Sequence, residues 1–150
     1  GIKSREEAIA ETIENNVRSK IIKEHLTDPA YYDKMSILLS EIIQQRKNDA
    51  IAYEDYLKAI TELVKKVNTG MGEDTPEELD SPAKRALYNN LGKDESLAIE
   101  LHEIVQRVKK ADFRGNIAKE REIQSALNDK LQNEDLVKTI FEIIKEQKEY

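Results

Sequence analysis

The residues with which a hydrolase or a metal site would begin are His25 and His102, and neither has company at a useful spacing. Neither stands in an HExxH pair, and neither follows a carboxylate by three residues, so the zinc-hydrolase and di-iron helix patterns are both missing. No cysteine is present, and no serine has a base that spacing identifies, so a nucleophilic centre finds no support. The phosphate-cradling GxxxxGK[ST] loop and the Gly-rich dinucleotide turn are absent. Acid pairs such as Glu120 and Glu122 arise by chance in a chain that is 36% charged. The acids of the stretch Asn68 to Asp80 lack the EF-hand spacing and read as a solvated loop, in which Thr75-Pro76-Glu77-Glu78 can form one capped turn. No catalytic, cofactor-binding or metal-ligating residue is therefore assigned, and catalysis by this segment is not expected.

A concentration of positive charge is the feature that chemistry can use. From Val105 to Arg121 the basic residues Arg107, Lys109, Lys110, Arg114, Lys119 and Arg121 face only Asp112 and Glu120, a local +4 in a chain of net charge −6. Phosphate contacts want basic side chains grouped beside a helix N-terminus, and Asn116 supplies such a start. Complementing a helix dipole explains Lys109 and Lys110 at a helix end. It explains Arg114, Lys119 and Arg121 poorly, since they lie at a helix start, where positive charge is disfavoured. The candidate DNA-binding set is Lys109, Lys110, Arg114, Lys119 and Arg121, with Arg85 added if its helix folds back.

The elements that must position these residues are helical. With 150 residues, scarce Gly and Pro, and aromatics at 5%, the chain suits one all-α domain over residues 1–150 with a heavily solvated surface. Asp28-Pro29 is a start signal, and the apolar residues that follow, from Met35 through Leu39, Ile43, Tyr53, Leu57 and Ile60 to Val67, keep helical spacing. The spacing predicts one long helix over about residues 29–67, with four to six shorter helices around it and a bend where the stripe lapses at Gln44 to Asp49. Tyr53 is its expected core aromatic.

The shorter helices each carry a start cap. Ser4-Arg5-Glu6-Glu7 reads as a capping box ahead of a stripe of Ile9, Ile13, Val17, Ile21 and Ile22, with Asn15 and Asn16 on the solvent face. Ser81-Pro82 opens a helix that Gly92 ends. Asp94 opens the next, running to about Lys110; Asn116 opens a fifth to about Leu131, and Asn133 a sixth. No strand and no internal repeat is expected. No apolar run approaches a membrane span, no signal peptide leads the chain, and the lack of cysteine suits the cytoplasm. The opening Gly-Ile-Lys fits a piece cut from a longer protein.

At Arg85-Ala86-Leu87-Tyr88-Asn89-Asn90-Leu91 and Phe113-Arg114-Gly115-Asn116, with Lys119-Glu120-Arg121, the sequence resembles a known family. It is similar to the C-terminal helical domain of the motor (restriction) subunit of type I restriction–modification enzymes, nearest the IC branch. Glu11 to Arg18, Tyr31 to Ser36 and the closing Lys148-Glu149-Tyr150 fit the same pattern, so the likeness spans nearly the whole chain. Phe113 departs from it, because the family has Trp more often there. The resemblance implies a noncatalytic C-terminal fragment of a much larger subunit. Nuclease and ATP- and Mg-dependent motor domains would lie upstream, and the parent would be an ATP-dependent deoxyribonuclease. It implies assembly with the methyltransferase and specificity subunits, and contact with double-stranded DNA. Tyr88, Asn89, Asn90 and Phe113 are then the expected partner-facing residues, with Asn90 the amide best suited to tie helix ends together. The competing reading is a self-associating helical scaffold without DNA contact, which polar Gln45, Arg46 and Asp49 in the seam disfavour.

Overall fold

The computed structural model describes every residue from Gly1 to Tyr150, and the chain is all-α, as its periodicity predicts. Seven helices follow in order: α1 (Ile2–Glu24), α2 (Pro29–Lys47), α3 (Tyr53–Thr69), α4 (Pro82–Asn90), α5 (Glu95–Val108), α6 (Ile117–Leu131) and α7 (Glu134–Lys145). A 3-10 turn, His25–Thr27, joins the first two. The chain packs as two compact units rather than around one helix. Unit 1 comprises Gly1–His25 with Tyr31–Glu73, and unit 2 comprises Leu26–Ala30 with Asp74–Tyr150.

The expected long helix from Asp28 to Val67 is two helices, and the longest single helix is instead α1, at 23 residues. The break opens within the polar lapse, where α2 ends at Lys47 and Asn48 and Asp49 turn the chain. Asp49 takes the left-handed conformation, φ 51°, its N–H donates to the Arg46 carbonyl at 3.1 Å, and the Ala50 N–H donates to the Gln45 carbonyl at 2.9 Å. These paired bonds close the last turn of α2. The left-handed position is usually held by Gly, but Asp is among the residues that enter it at modest cost. Extended Ala52 then starts α3 without a side-chain cap. The lapse in the stripe marks the place, but with no Gly or Pro on either side it reads as a bend rather than as the end of a helix.

Unit 1 buries one face of each of α1, α2 and α3. The phenols of Tyr31 and Tyr32, in the first turns of α2, donate to the Lys66 carbonyl at 2.7 Å and the Val67 carbonyl at 3.1 Å, so they satisfy acceptors in the last turn of α3. In α1 the buried line is Ala10, Glu14, Val17 and Ile21. It is rotated from the expected stripe: Ile9 and Ile22 are exposed, and Asn15 and Asn16 face solvent as expected. Ser4 lies inside α1, which begins at Ile2 without a side-chain cap. The rotation follows from Glu14, a carboxylate only 3% exposed. Arg46 meets it with a fork, Nε to Oε2 at 2.7 Å and Nη2 to Oε1 at 2.8 Å, and the Tyr56 hydroxyl donates to Oε2 at 2.8 Å. Tyr56, fully buried, is therefore the core aromatic, while half-buried Tyr53 stacks on it with centroids 6.1 Å apart.

Unit 2 follows its caps closely. The side chains of Ser81, Asp94, Asn116 and Asn133 each accept the N–H three residues on, which fixes the starts of α4, α5, α6 and α7. Gly92, at φ 70°, follows α4 in the left-handed region that its lack of a Cβ permits. The core of this unit gathers Leu87, Leu101, Val105, Phe113, Ile123, Leu127, Ile140, Phe141 and Ile144.

Candidate nucleic-acid interface

The basic stretch runs from the end of α5 through a tight connection into α6. Asp112 (φ 55°) and Gly115 (φ 81°) turn the chain, and between them Phe113 inserts into the core of unit 2, tilted against Phe141 with centroids 6.5 Å apart. Phe113 is thus a core residue at 1% exposure, and its assignment to a partner surface is corrected. An aromatic in a turn is pulled inward because the apolar area gained outweighs the cost of ordering one loop.

Arg114 uses its charge inside the unit. Its guanidinium lies over the Phe113 ring at 4.6 Å, Nε donates to the Lys145 carbonyl at 2.8 Å, and Nη2 donates to the Gln147 carbonyl at 2.6 Å. A positive charge misplaced at the start of α6 is well placed at the end of α7, where carbonyls lack partners and the dipole favours a cation. Lys119 similarly turns back, with Nζ donating to the Ala111 carbonyl at 2.7 Å. Glu120 accepts the Gly115 N–H at 2.9 Å and so closes the same turn. Lys110 makes a solvent-exposed pair with Glu122 at 3.0 Å. Half-buried Lys109 and exposed Arg107 and Arg121 make no ion pair. Their charges have no partner in the chain, and that of Lys110 is held only by its exposed pair with Glu122.

Arg85 does not join this set, which corrects its expected role. It is buried to 8% exposure, its Nη1 donates to the Leu79 carbonyl at 3.1 Å, and its buried Nε has no partner. The α4 register that places Ala83, Ala86 and Leu87 in the core carries Arg85 inward with them.

The amides of α4 form a joint. Asp28, 6% exposed, accepts from Asn89 Nδ2 at 2.9 Å and from Asn90 Nδ2 at 2.8 Å. Asn90 also donates to the Ala86 carbonyl at 2.7 Å and accepts the Ala30 N–H at 3.1 Å. It fastens the segment Leu26–Ala30 to α4 using both ends of its amide, as its chemistry predicts. Tyr88 is half-buried against the unit 2 core. Replacing Asn90 by Ala is expected to lower stability by about 1–3 kcal/mol, since a buried carboxylate loses a donor and a backbone N–H loses an acceptor. Thermal unfolding of the variant measures it; an unchanged melt would assign Asn90 to a partner surface instead.

The closing peptide completes the unit, and sequence reasoning gave it no structural role. Gln147 Nε2 donates to the Thr27 carbonyl at 2.8 Å and to the Ile143 carbonyl at 3.0 Å. Glu149 accepts the Ala83 N–H at 2.8 Å at the start of α4. The Tyr150 hydroxyl and His102 Nδ1 share a hydrogen bond of 2.6 Å. Burial pushes the Tyr150 phenol up from its usual range, helped by the Glu149 charge, and pushes the His102 imidazole down. Both shifts favour neutral forms, and the shared hydrogen bond ties the closing Tyr150 to α5. A Gly- and Pro-free tail gives no spacing signal for such contacts.

No three carboxylate or imidazole groups stand close enough to hold a metal ion, and no helix is long and apolar enough to cross a membrane. Comparison of the chain with protein-family models, with curated proteins and with solved structures returns no match.

Proposed function

We propose that the chain is a noncatalytic docking domain, the C-terminal helical domain of the motor subunit of a type I restriction–modification enzyme. On this reading it holds that subunit on the methyltransferase core and lends a basic, sequence-independent face to duplex DNA. One observation carries the reading. The residues on which the resemblance rests are the fasteners of unit 2: Asn89 and Asn90 on Asp28, Arg114 on the end of α7, and Tyr150 on His102. A likeness carried by the joints of a fold supports a shared scaffold, and a scaffold assigned no catalytic group suits assembly. Nuclease and ATPase chemistry belongs, on this proposal, to upstream domains.

A translocating motor must hold duplex without reading it, which phosphate contacts achieve. Of the candidate DNA-binding residues, Lys109 and Arg121 make no ion pair, and Lys110 is held only by its exposed pair with Glu122, so these three are the cations available for that task. Replacing all three by Ala should flatten the log–log salt dependence of DNA affinity by about 2–3 units, at about 0.9 per phosphate. The measurement is DNA affinity of the assembled complex at several salt concentrations, beside a pull-down of the chain with the methyltransferase core. An unchanged slope with lost pull-down makes these residues protein contacts; no capture by the core under any condition overturns the docking reading.

A further inference from the structure

The peptide Gln147–Tyr150 is fastened to the rest of unit 2 mainly by polar contacts. Arg114 holds the Gln147 carbonyl, Gln147 the Thr27 carbonyl, Glu149 the Ala83 N–H, and Tyr150 meets His102. Each bond of this kind shifts an equilibrium only about two- to tenfold, so a change at one can release a short segment. Among these groups, the imidazole alone has an ordinary pKa, about 6.5, near physiological pH. We propose that Gln147–Tyr150 is a pH-sensitive strap, docked when His102 is neutral and released when His102 takes a proton.

The surroundings of His102 carry this reading. The Tyr150 ring lies beside the half-buried imidazole, centroids 5.4 Å apart and 40° between planes, so the docked strap covers it. A neutral ring with its proton on Nε2 accepts the Tyr150 hydroxyl at Nδ1, across 2.6 Å. An imidazolium has no acceptor left, so that arrangement is lost on protonation. Three carboxylates favour the imidazolium: Glu149 on the strap, Glu103 on α5 and Asp80 just before α4. Lys84 on α4 opposes it, and burial, the largest cause, brings the imidazole below its usual range. α6 reaches the other flank of α5, where its Lys130 pairs with Glu100 at 3.0 Å, about 200° round the helix from His102. Release returns the ring to water, so the released form holds the proton more tightly. Docking is then complete above about pH 6.5 and weakens below it, by at most about tenfold per pH unit. Glu149 leaves with the strap and works against release, but its pull is smaller than the effect of burial. The strap lies wholly in unit 2 and does not depend on the proposed docking function.

The test uses the full 150-residue chain. The buried Ala83 amide, bonded to Glu149 in the docked form, reports release by hydrogen exchange, corrected for the intrinsic effect of pH. From pH 7.5 to 5 its corrected rate should rise, by at most about tenfold per pH unit below about 6.5. Nuclear Overhauser contacts between the Tyr150 and His102 rings should fade in step, while the Leu101 amide of α5 keeps its protection. H102N should abolish the response, because its amide oxygen accepts the Tyr150 hydroxyl at every pH. Y150F keeps the ring and loses the hydroxyl; it should raise Ala83 exchange at pH 7.5 about two- to tenfold. That variant tests the strap even if H102N does not fold. A flat wild-type profile, a response that persists in H102N or vanishes in H25N, or Ala83 exchange unchanged in Y150F overturns the proposal. So does Leu101 exchanging in step with Ala83, which would mean that the whole unit opens.

Discussion

Replacing Glu14 by Ala is expected to destabilise unit 1 by about 3–5 kcal/mol, the usual cost of removing one partner from a buried ion pair. The Arg46 side chain is only 11% exposed, so its charge would remain desolvated with nothing to meet it. Glu14 holds that guanidinium up from its usual range through the forked hydrogen bonds. Tyr56 would suffer too. Burial first, and then the bond to Glu14, push its phenol up, so it is a firm donor, and its remaining acceptor is the Ala10 carbonyl at 3.4 Å. Such a loss is a large share of the 5–15 kcal/mol by which a domain is typically stable. Hydrogen exchange of α1 and α3 amides reads it, because unit 2 need not follow. The double variant E14L/R46M should recover most of the loss, since well-packed apolar residues often replace a buried pair at little cost. A single variant costing under about 1 kcal/mol would mean that water reaches Arg46 and that the pair does not hold the helices together.

The same triad is not legible in the sequence. Periodicity identifies helices by their apolar residues, and in α1 it selects Ile9 and Ile22 although the helix turns Ala10 and Glu14 inward. A buried acid is invisible to a hydrophobic stripe, because its burial depends on partners 32 and 42 residues away. The lapse at Gln44 to Asp49 shows where the chain turns between α2 and α3, but not that the helix ends there. Asp49 performs a task usually read from Gly, and Ala52 starts a helix with no polar cap. Unit 2 was far more legible. Its helix starts are set by local side-chain caps, which depend on residues three positions apart and can be read directly.

Site residues divide along the same line. Asn90 could be read as a joint from the two-sided chemistry of an amide alone. The environment of Arg85 could not, because the inward face of α4 is fixed by packing rather than by charge. Phe113 likewise looks like an exposed wedge in a polar turn until the turn is closed over the core. The basic stretch was visible as charge, but charge does not say whether a guanidinium meets carbonyls of its own chain or phosphates of another.

Arg114 separates these two fates by experiment. Replacing it by Ala is expected to cost unit 2 about 2–3 kcal/mol, because two charge-assisted hydrogen bonds to the Lys145 and Gln147 carbonyls are lost together with the stack on Phe113. The cost is tempered by solvent, which reaches the exposed guanidinium and can rehydrate part of what it leaves. Lys should rescue less than half of the loss: it keeps the charge but has no planar fork to span two carbonyls. The release should be local at first. Amides of Gln147 to Tyr150 should exchange faster than those of α5, since the closing peptide loses the anchor that holds Gln147 against the unit. DNA affinity of the assembled complex, corrected for the folded fraction, should keep its salt slope in the Ala variant, unlike that of the Lys109, Lys110 and Arg121 triple variant. If unfolding is unchanged while the slope falls by about 0.9, Arg114 meets a phosphate and its bonds to α7 are incidental.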